Sequence, residues 1–276
     1  MSNQVVSESG KLIITEELIQ RFEINSEENL FLDMEIRQEQ EATIYLIYKS
    51  IKEEIQLNIQ IGKNAEVTIF NWNETDTTLK IQEEVHFGEN SKANMIYGEL
   101  GLSEVKRKSV YHLEARHVEL NTCVAAIGNQ KKDLVFHAIH EETDTKSDMK
   151  NYAIIQENAT FYLDVTGKIE KGAHRSNAQQ VNRILTLADN HHATVLPQLL
   201  IDDNDVVAGH AMTMGQVDEN QLYYMESRGI ARAEAIQLLT LGYLTPIAYL
   251  LKEEQRQEVI TMIEEKVSSQ CLISKK

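Results

Sequence analysis

Apolar and polar residues alternate along most of this chain. Leu32, Met34 and Ile36 form one run, and Ile44, Leu46 and Tyr48 form the next. Ile55, Leu57, Ile59 and Ile61 give the cleanest example, continued by Val67 and Ile69 and repeated far downstream by Phe161, Leu163 and Val165. A period of two marks strands with one buried face. The pattern predicts nearly continuous β structure over residues 28–217.

The punctuation between these runs decides among β architectures. Tight two-residue hairpins favour Asn-Gly, Asp-Gly or Gly-Gly, and none of these occurs among the 12 glycines; prolines number only 2. Corner-like stretches recur instead: GKNAEV at 62–67, GENSKANM at 88–95, QENATFYL at 156–163 and ADNHHATVL at 188–196. Their alanines, Ala65, Ala93, Ala159 and Ala193, fit coils that turn without reversing. That is the signature of a stacked parallel β-solenoid, each coil burying its inner face on the next. The repeat is loose, and longer hairpin loops are the alternative.

After Val217 the period changes. Asp218 is placed to cap a helix, with Gln221 completing a capping box, and Gly229 is placed to end it with positive φ. Ala235, Leu238, Leu239 and Gly242 fall on one face of a second helix. Thr245-Pro246 opens another. A last helix, at about 252–268, carries Val259, Ile260, Ile263 and Val267 beside Arg256. At the other end, TEELIQRFE reads as one short helix. The expected domains are therefore an N-terminal segment (1–27), a parallel β-helix core (28–217) and a C-terminal helical domain (218–276).

Composition narrows the function. In 276 residues, hydrophobic types make up 42%, enough for a sizeable core, and the net charge is -16. Such a charge disfavours general nucleic-acid binding and docking on anionic lipid. No apolar run is long enough to span a membrane, and MSNQVVSESGK lacks the basic and apolar regions of a secretory leader. A cytoplasmic location is expected. Cys123 and Cys271 form neither a Cys-x-x-Cys pair nor a disulfide framework.

The region from about His137 to Leu250 resembles the SufB/SufD family, the scaffold subunits of SUF iron–sulfur cluster assembly. The likeness rests on an ordered series: VTGKIEKGAHRSNAQQ (165–180), ILTLADNHHATVLPQLLIDDNDVVAGHA (184–211) and QLYYMESRGIARAEAIQLLTLGY (221–243). It implies a right-handed parallel β-helix with a C-terminal helical domain. It also implies pairing with a SufB-like subunit or an identical chain, and docking of a SufC-like ATPase by the helical end. The chain departs from the family pattern in its shortness. Ala208 stands where many members have Cys, and Gly209-His210-Ala211-Met212-Thr213 replaces the usual Ser-His-Gly-Ala-Thr. It looks SufD-like.

The candidate chemistry is sparse. A neutral imidazole suits iron, and the small neighbours of His210 leave it approachable; the resemblance adds that the family places an interface histidine there. Iron or an iron–sulfur cluster held transiently at a subunit interface is the implied cargo, with none required for folding. Cys123, in an apolar alternation, is a weaker metal candidate, and Cys271 is expected to be exposed and incidental. In HAIHEE, His137 and His140 fall on opposite faces of a strand and so form no closed site. The acidic clusters SEEN, KEE, QEE and DDND are expected on solvated surface. Arg228 is expected to bond the last carbonyls of its helix or to pin it to the β domain. Tyr223, Tyr224, Tyr243 and Tyr249 read mainly as core by helical spacing, and Tyr223, Tyr224, Arg228 and Tyr243 are also partner-binding candidates. No Walker-type phosphate loop is present. The first expectation is a non-catalytic scaffold; the rivals are a β-helix lyase or hydrolase acting on glycans and a stand-alone interaction protein.

Overall fold

The computed structural model describes residues 3–271. Seventeen strands run in chain order: β1 (Asn3–Val6), β2 (Gly10–Leu12), β3 (Ile19–Ser26), β4 (Leu30–Ile36), β5 (Glu41–Ile51), β6 (Glu54–Ile61), β7 (Glu66–Asn73), β8 (Leu79–Phe87), β9 (Lys92–Glu99), β10 (Val105–Leu113), β11 (Glu119–Gly128), β12 (Lys131–His140), β13 (Lys146–Ile155), β14 (Thr160–Ile169), β15 (Asn177–Thr186), β16 (His192–Ile201) and β17 (Val207–Gln216). Odd-numbered strands form one sheet and even-numbered strands the other, in strict order and all parallel. The molecule is a two-sided β-solenoid.

Stacking follows from the alternation. In β4, Leu30, Leu32, Met34 and Ile36 are buried while the residues between them are exposed; each pairs with an apolar residue one coil on, Ile55, Leu57, Ile59 and Ile61. The coil lengthens along the chain, from a step of 22 residues between the register partners Lys11 and Asp33 to 32 between Thr160 and His192. This drift is why the repeat looks loose in sequence. Corners turn on residues in the left-handed region: Asn64 (φ 56), Asn90 (φ 58), Asp144 (φ 60) and Asn158 (φ 62). Asn and Asp tolerate that conformation better than other non-glycine residues. The corners stack too, with Asn64 N–H donating to Glu89 O and Asn90 N–H to Arg116 O, both at 2.9 Å.

The N-terminal expectation is corrected. The stretch TEELIQRFE is not a helix: its second half is strand β3, which pairs with β5. Phe22 and Ile24 face the interior, at 1% and 0% exposed, so their period-two burial overrides the helix propensity of the glutamates. Among the described residues, solenoid strands are already present from Asn3, well before residue 28.

The chain ends in α1 (Glu219–Ser227), α2 (Arg232–Leu244), a 3₁₀ turn (Thr245–Leu250) and α3 (Glu253–Cys271). Asp218 caps α1 through Asn220 N–H at 2.8 Å, and Gly229 follows it with φ +88. The 3₁₀ turn and α3 lie back across the outer face of the odd sheet. Leu244, Ile247, Leu251, Val259, Ile263 and Val267 form a second core with Tyr45, Phe70, Trp72, Ile96 and Ile127. That is why the middle odd strands are buried on both faces. Arg21 pairs with Glu258 at 2.5 Å, and Lys252 with Glu41. On α2 the buried face is Ala235, Thr240 and Leu244, whereas Leu238 of the expected stripe is 47% exposed.

Candidate functional site

Three places collect polar or approachable groups: the last coil, the α1–α2 face and the solenoid interior. The last coil is open. β16 and β17 are ten residues each and end their sheets. β17 pairs only with β15, aligning Ala208, His210, Met212 and Met214 with Ala178, Gln180, Asn182 and Ile184, the buried inward row of β15. Partners in a parallel register face the same way, so this row of β17 caps the solenoid axis. His210 is exposed, and Leu200, Val207, Met212 and Met214 are 47%, 60%, 39% and 40% exposed. Below the row, Gln180 and Asn182 are buried, and Gln180 Oε1 and Asn182 Nδ2 have no hydrogen-bond partner. Among the described residues no group of three or more His, Cys, Asp or Glu side chains is arranged to hold a metal.

Cys123 lies elsewhere, on the outer face of the odd sheet beneath the helices, 2% exposed. Burial pushes its thiol up to about 12, with Lys150 acting weakly the other way. It is a packed neutral thiol, far from the thiolate that binds metal. The side chain of Cys271 lies outside the described residues. His137 and His140 do point to opposite faces of β12: His137 lies 3.4 Å from Asp164 on the outside. His140 is fully buried between Thr145 Oγ1 (2.7 Å) and Ser147 Oγ (2.8 Å), and burial pushes it down to about 4.

The helical face corrects the tyrosine reading. Tyr223, Tyr224 and Tyr249 are 74%, 58% and 62% exposed, whereas Tyr243 packs against the second core. α1 buries a single residue, Leu222, so its spacing gives no core stripe. Arg228 neither caps its helix with its side chain nor reaches the solenoid. Its guanidinium bonds Tyr224 Oη at 3.1 Å and lies 5.2 Å from that ring's centre. Beside it, Gln221, Tyr224, Met225 and Leu239 line an open groove of about 420 Å³.

The interior holds what the sequence reading missed. Glu83, Glu99, Arg107 and Lys132 are inside the solenoid, none more than 1% exposed. Glu83 therefore corrects the surface reading of QEE: strand alternation turns it inward and Glu84 outward. Arg107 Nε donates to Glu99 Oε1 at 2.9 Å, and its guanidinium faces the rings of Tyr97 and Tyr48 at 4.9 and 5.5 Å. Tyr97 Oη donates to Glu83 Oε2 at 2.6 Å and meets Tyr111 Oη at 2.7 Å. Lys132 Nζ donates to the carbonyls of Gly101 (3.0 Å) and Ser103 (2.5 Å); burial lowers it to about 8 although Glu99 and Glu104 pull upward. The signal was present: Arg107 and Glu83 sit in phase with the apolar residues of their strands.

Comparison with known proteins defines the class. Residues 23–243 match the family model for the SufBD core domain of the SUF iron–sulfur cluster assembly system. The chain is 31% identical over 212 residues to iron–sulfur cluster assembly protein SufD of Bacillus subtilis, covering 75% of this chain and 48% of that protein. It is 26% identical over 200 residues to a SufBD family protein of Mycobacterium leprae, covering 71% of this chain and 23% of the relative. A Mycobacterium tuberculosis family member is 39% identical over 87 residues. This chain belongs to the SufBD family of iron–sulfur cluster assembly proteins. It spans about half the length of the Bacillus relative and less than a quarter of the Mycobacterium leprae protein. No helix among the described residues is long and apolar enough to cross a membrane.

Proposed function

We propose that this chain is a non-catalytic, SufD-like scaffold subunit that works in the cytoplasm. It pairs through its last coil with a SufB-like subunit or an identical chain, and it docks a SufC-like ATPase on its helical face. The observation that carries the reading is the open end. Unpaired strand edges are templates for further strands, and β16 and β17 present two of them side by side with exposed apolar residues. Strand addition supplies main-chain hydrogen bonds, and the exposed side chains supply selectivity. Iron or a cluster in transit is cargo at this junction. His210 offers it one imidazole, and the partner supplies the remaining ligands.

On the helical face, Tyr223, Tyr224 and Leu238 form the dock, with Arg228 holding the Tyr224 ring; Tyr243 supports it from the solenoid side. Exposed aromatics of this kind are common anchors in interfaces. The glycan-enzyme reading gains no support. Each described Asp or Glu with a displaced pKa moves down, toward the charged form, which is opposite to the need of a general acid.

Edge lysines test the pairing. Leu200→Lys with Val207→Lys should abolish co-purification with the cognate SufB-like subunit, and self-association, while circular dichroism stays unchanged. An undiminished complex would refute the edge as the interface. Deleting the helices would expose Phe70 and Trp72 and is no clean test of ATPase docking. Tyr223→Ser with Leu238→Ser is, and undiminished ATPase capture by that variant would rule out the α1–α2 face.

A further inference from the structure

The exposed apolar side chains of the last coil are of two chemical kinds. Leu196, Leu200, Ile201 and Val207 are aliphatic and inert to mild oxidants, whereas Met212 and Met214 carry thioethers. We propose that these two methionines are a modification site: hydrogen peroxide converts them to sulfoxides in the unpaired subunit, and the oxidised row no longer seats a partner. The proposal rests on the reading of the last coil as the pairing surface.

Position sets these methionines apart from the others in the solenoid. Met34, Met95 and Met149 belong to the interior core and are 1%, 0% and 0% exposed, packed between coils above and below. Met212 and Met214 are 39% and 40% exposed, because β17 is the last strand of its sheet and pairs only with β15. In the helical region Met225 and Met262 are half-buried. Access of the oxidant to sulfur therefore ranks the open-end pair first.

The chemistry is an oxygen-atom transfer. The sulfur lone pair attacks one peroxide oxygen, the S–O bond forms, the O–O bond breaks and the other oxygen leaves as water. Sulfur gives up two electrons and the peroxide takes them. A flexible apolar side chain becomes a polar, chiral one. Burying such a group at an apolar junction weakens association by about tenfold or more. Leucine, close to methionine in volume, fills the same space and has no sulfur to oxidise. Pairing covers the two sulfurs, so the modification stops a free subunit from assembling and spares an assembled one.

The test exposes the full chain to hydrogen peroxide, removes the peroxide and then adds the cognate SufB-like subunit, with Cys271→Ser in every protein. Cys123 stays, since it is buried and its thiol is pushed up to about 12. Peptide mass spectrometry should find oxygen at Met212 and Met214 before Met225 and Met262, and at Met34, Met95 and Met149 last. Pairing, read by co-purification and, for self-association, by sedimentation velocity, should weaken by about tenfold or more in the oxidised protein. Methionine sulfoxide reductases should restore it. In Met212→Leu with Met214→Leu, peroxide treatment should not change whatever pairing that variant shows. The preformed complex should take up oxygen at these two positions more slowly than the free chain. Oxidation of Met212 and Met214 no faster than that of Met149 would overturn the proposal, and so would full pairing by protein oxidised at both. Failure of the edge reading looks different: Leu200→Lys with Val207→Lys then pairs normally before any oxidation, whereas failure of the switch alone leaves those lysines disruptive.

Discussion

Two regions of this solenoid place polar side chains at equivalent inward positions and put them to opposite use. In the middle, Arg107, Glu99, Glu83 and Lys132 are sealed between neighbouring coils: Arg107 is bonded to Glu99, Glu83 accepts from Tyr97, and Lys132 donates to backbone carbonyls. At the end, His210 heads the same kind of inward column with no coil above it. The backbone geometry is shared. What differs is whether the side chain must find its partner inside the chain or is free to accept one from outside.

The sharpest way to break this comparison is to remove Arg107. A buried ion pair that loses one member leaves an uncompensated charge, which costs about 3–5 kcal/mol. Arg107→Met should lower stability by that amount in urea unfolding, leaving the buried Glu99 with only the Asn73 amide as a partner. Adding Glu99→Gln should recover part of the loss, because the two sites are coupled. Met212→Ala, at the open end, should stay within about 0.5 kcal/mol. Equal losses at both places would end the distinction between sealed and open coils.

A second contrast is titratable. His140 is neutral because burial pushes its pKa down to about 4, below the ordinary 6.5. The unfolded chain therefore takes up the proton first. The contribution is fully present above about pH 6.5 and is lost as pH falls toward 4, in total roughly 2–4 kcal/mol. His112 works with the opposite sign. Burial opposes its charge, but hydrogen bonds from its ring to Glu141 and Glu84 raise its pKa overall, so its contribution is held at low pH and fades as pH rises through its folded-state pKa. Urea midpoints between pH 4 and 7 should fall toward acid in the parent and flatten in His140→Asn. A slope that survives this substitution would assign the acid sensitivity to other groups.

Glycines extend the comparison to the outer face of the odd sheet. A Cβ at Gly98 would lie 2.1 Å from Cε3 of Trp72, under the helices, whereas a Cβ at Gly215 on β17 meets nothing within 4 Å. Gly98→Ala should cost about 1–3 kcal/mol through overpacking; Gly215→Ala should be nearly neutral. Thermal melts of the two variants give the measurement, and equal melting temperatures would mean that Trp72 relaxes freely.

Much of this was legible from alternation alone. The strands, the absence of hairpins and the positive φ of Gly229 follow from local physics visible in single residues. The resemblance singles out His210 as a candidate. Three things were hidden. Glu83 reads as surface from sequence because QEE looks like a charge cluster until strand register splits it. TEELIQRFE looked helical because glutamates favour helices, and only pairing with β5 shows the buried phase of Phe22 and Ile24. The tyrosines of α1 read as core from sequence because spacing shows which residues share a face and not whether anything covers it. In each case the missing information was a contact between segments distant in sequence.

The smallest expected effect on stability belongs to His210 itself. Its neighbours Ala208, Gly209 and Ala211 are too small to enclose it, and the ring is exposed at the end of the odd sheet. A core histidine replaced by Ala leaves its partners unsatisfied and opens a cavity, costing about 1–3 kcal/mol or more. His210→Ala should instead stay within about 0.5 kcal/mol of the parent. If the last coil is the junction at which cargo is held, the same substitution should lower the iron or cluster content of the assembled complex without dissolving it, because strand addition depends on the backbone edges and not on this ring. Melting temperature and metal content of the purified complex, measured on one preparation, separate the two roles. A large fall in melting temperature with metal content intact would make His210 a structural plug. An unchanged melting temperature with reduced metal would place it where the open coil meets its cargo.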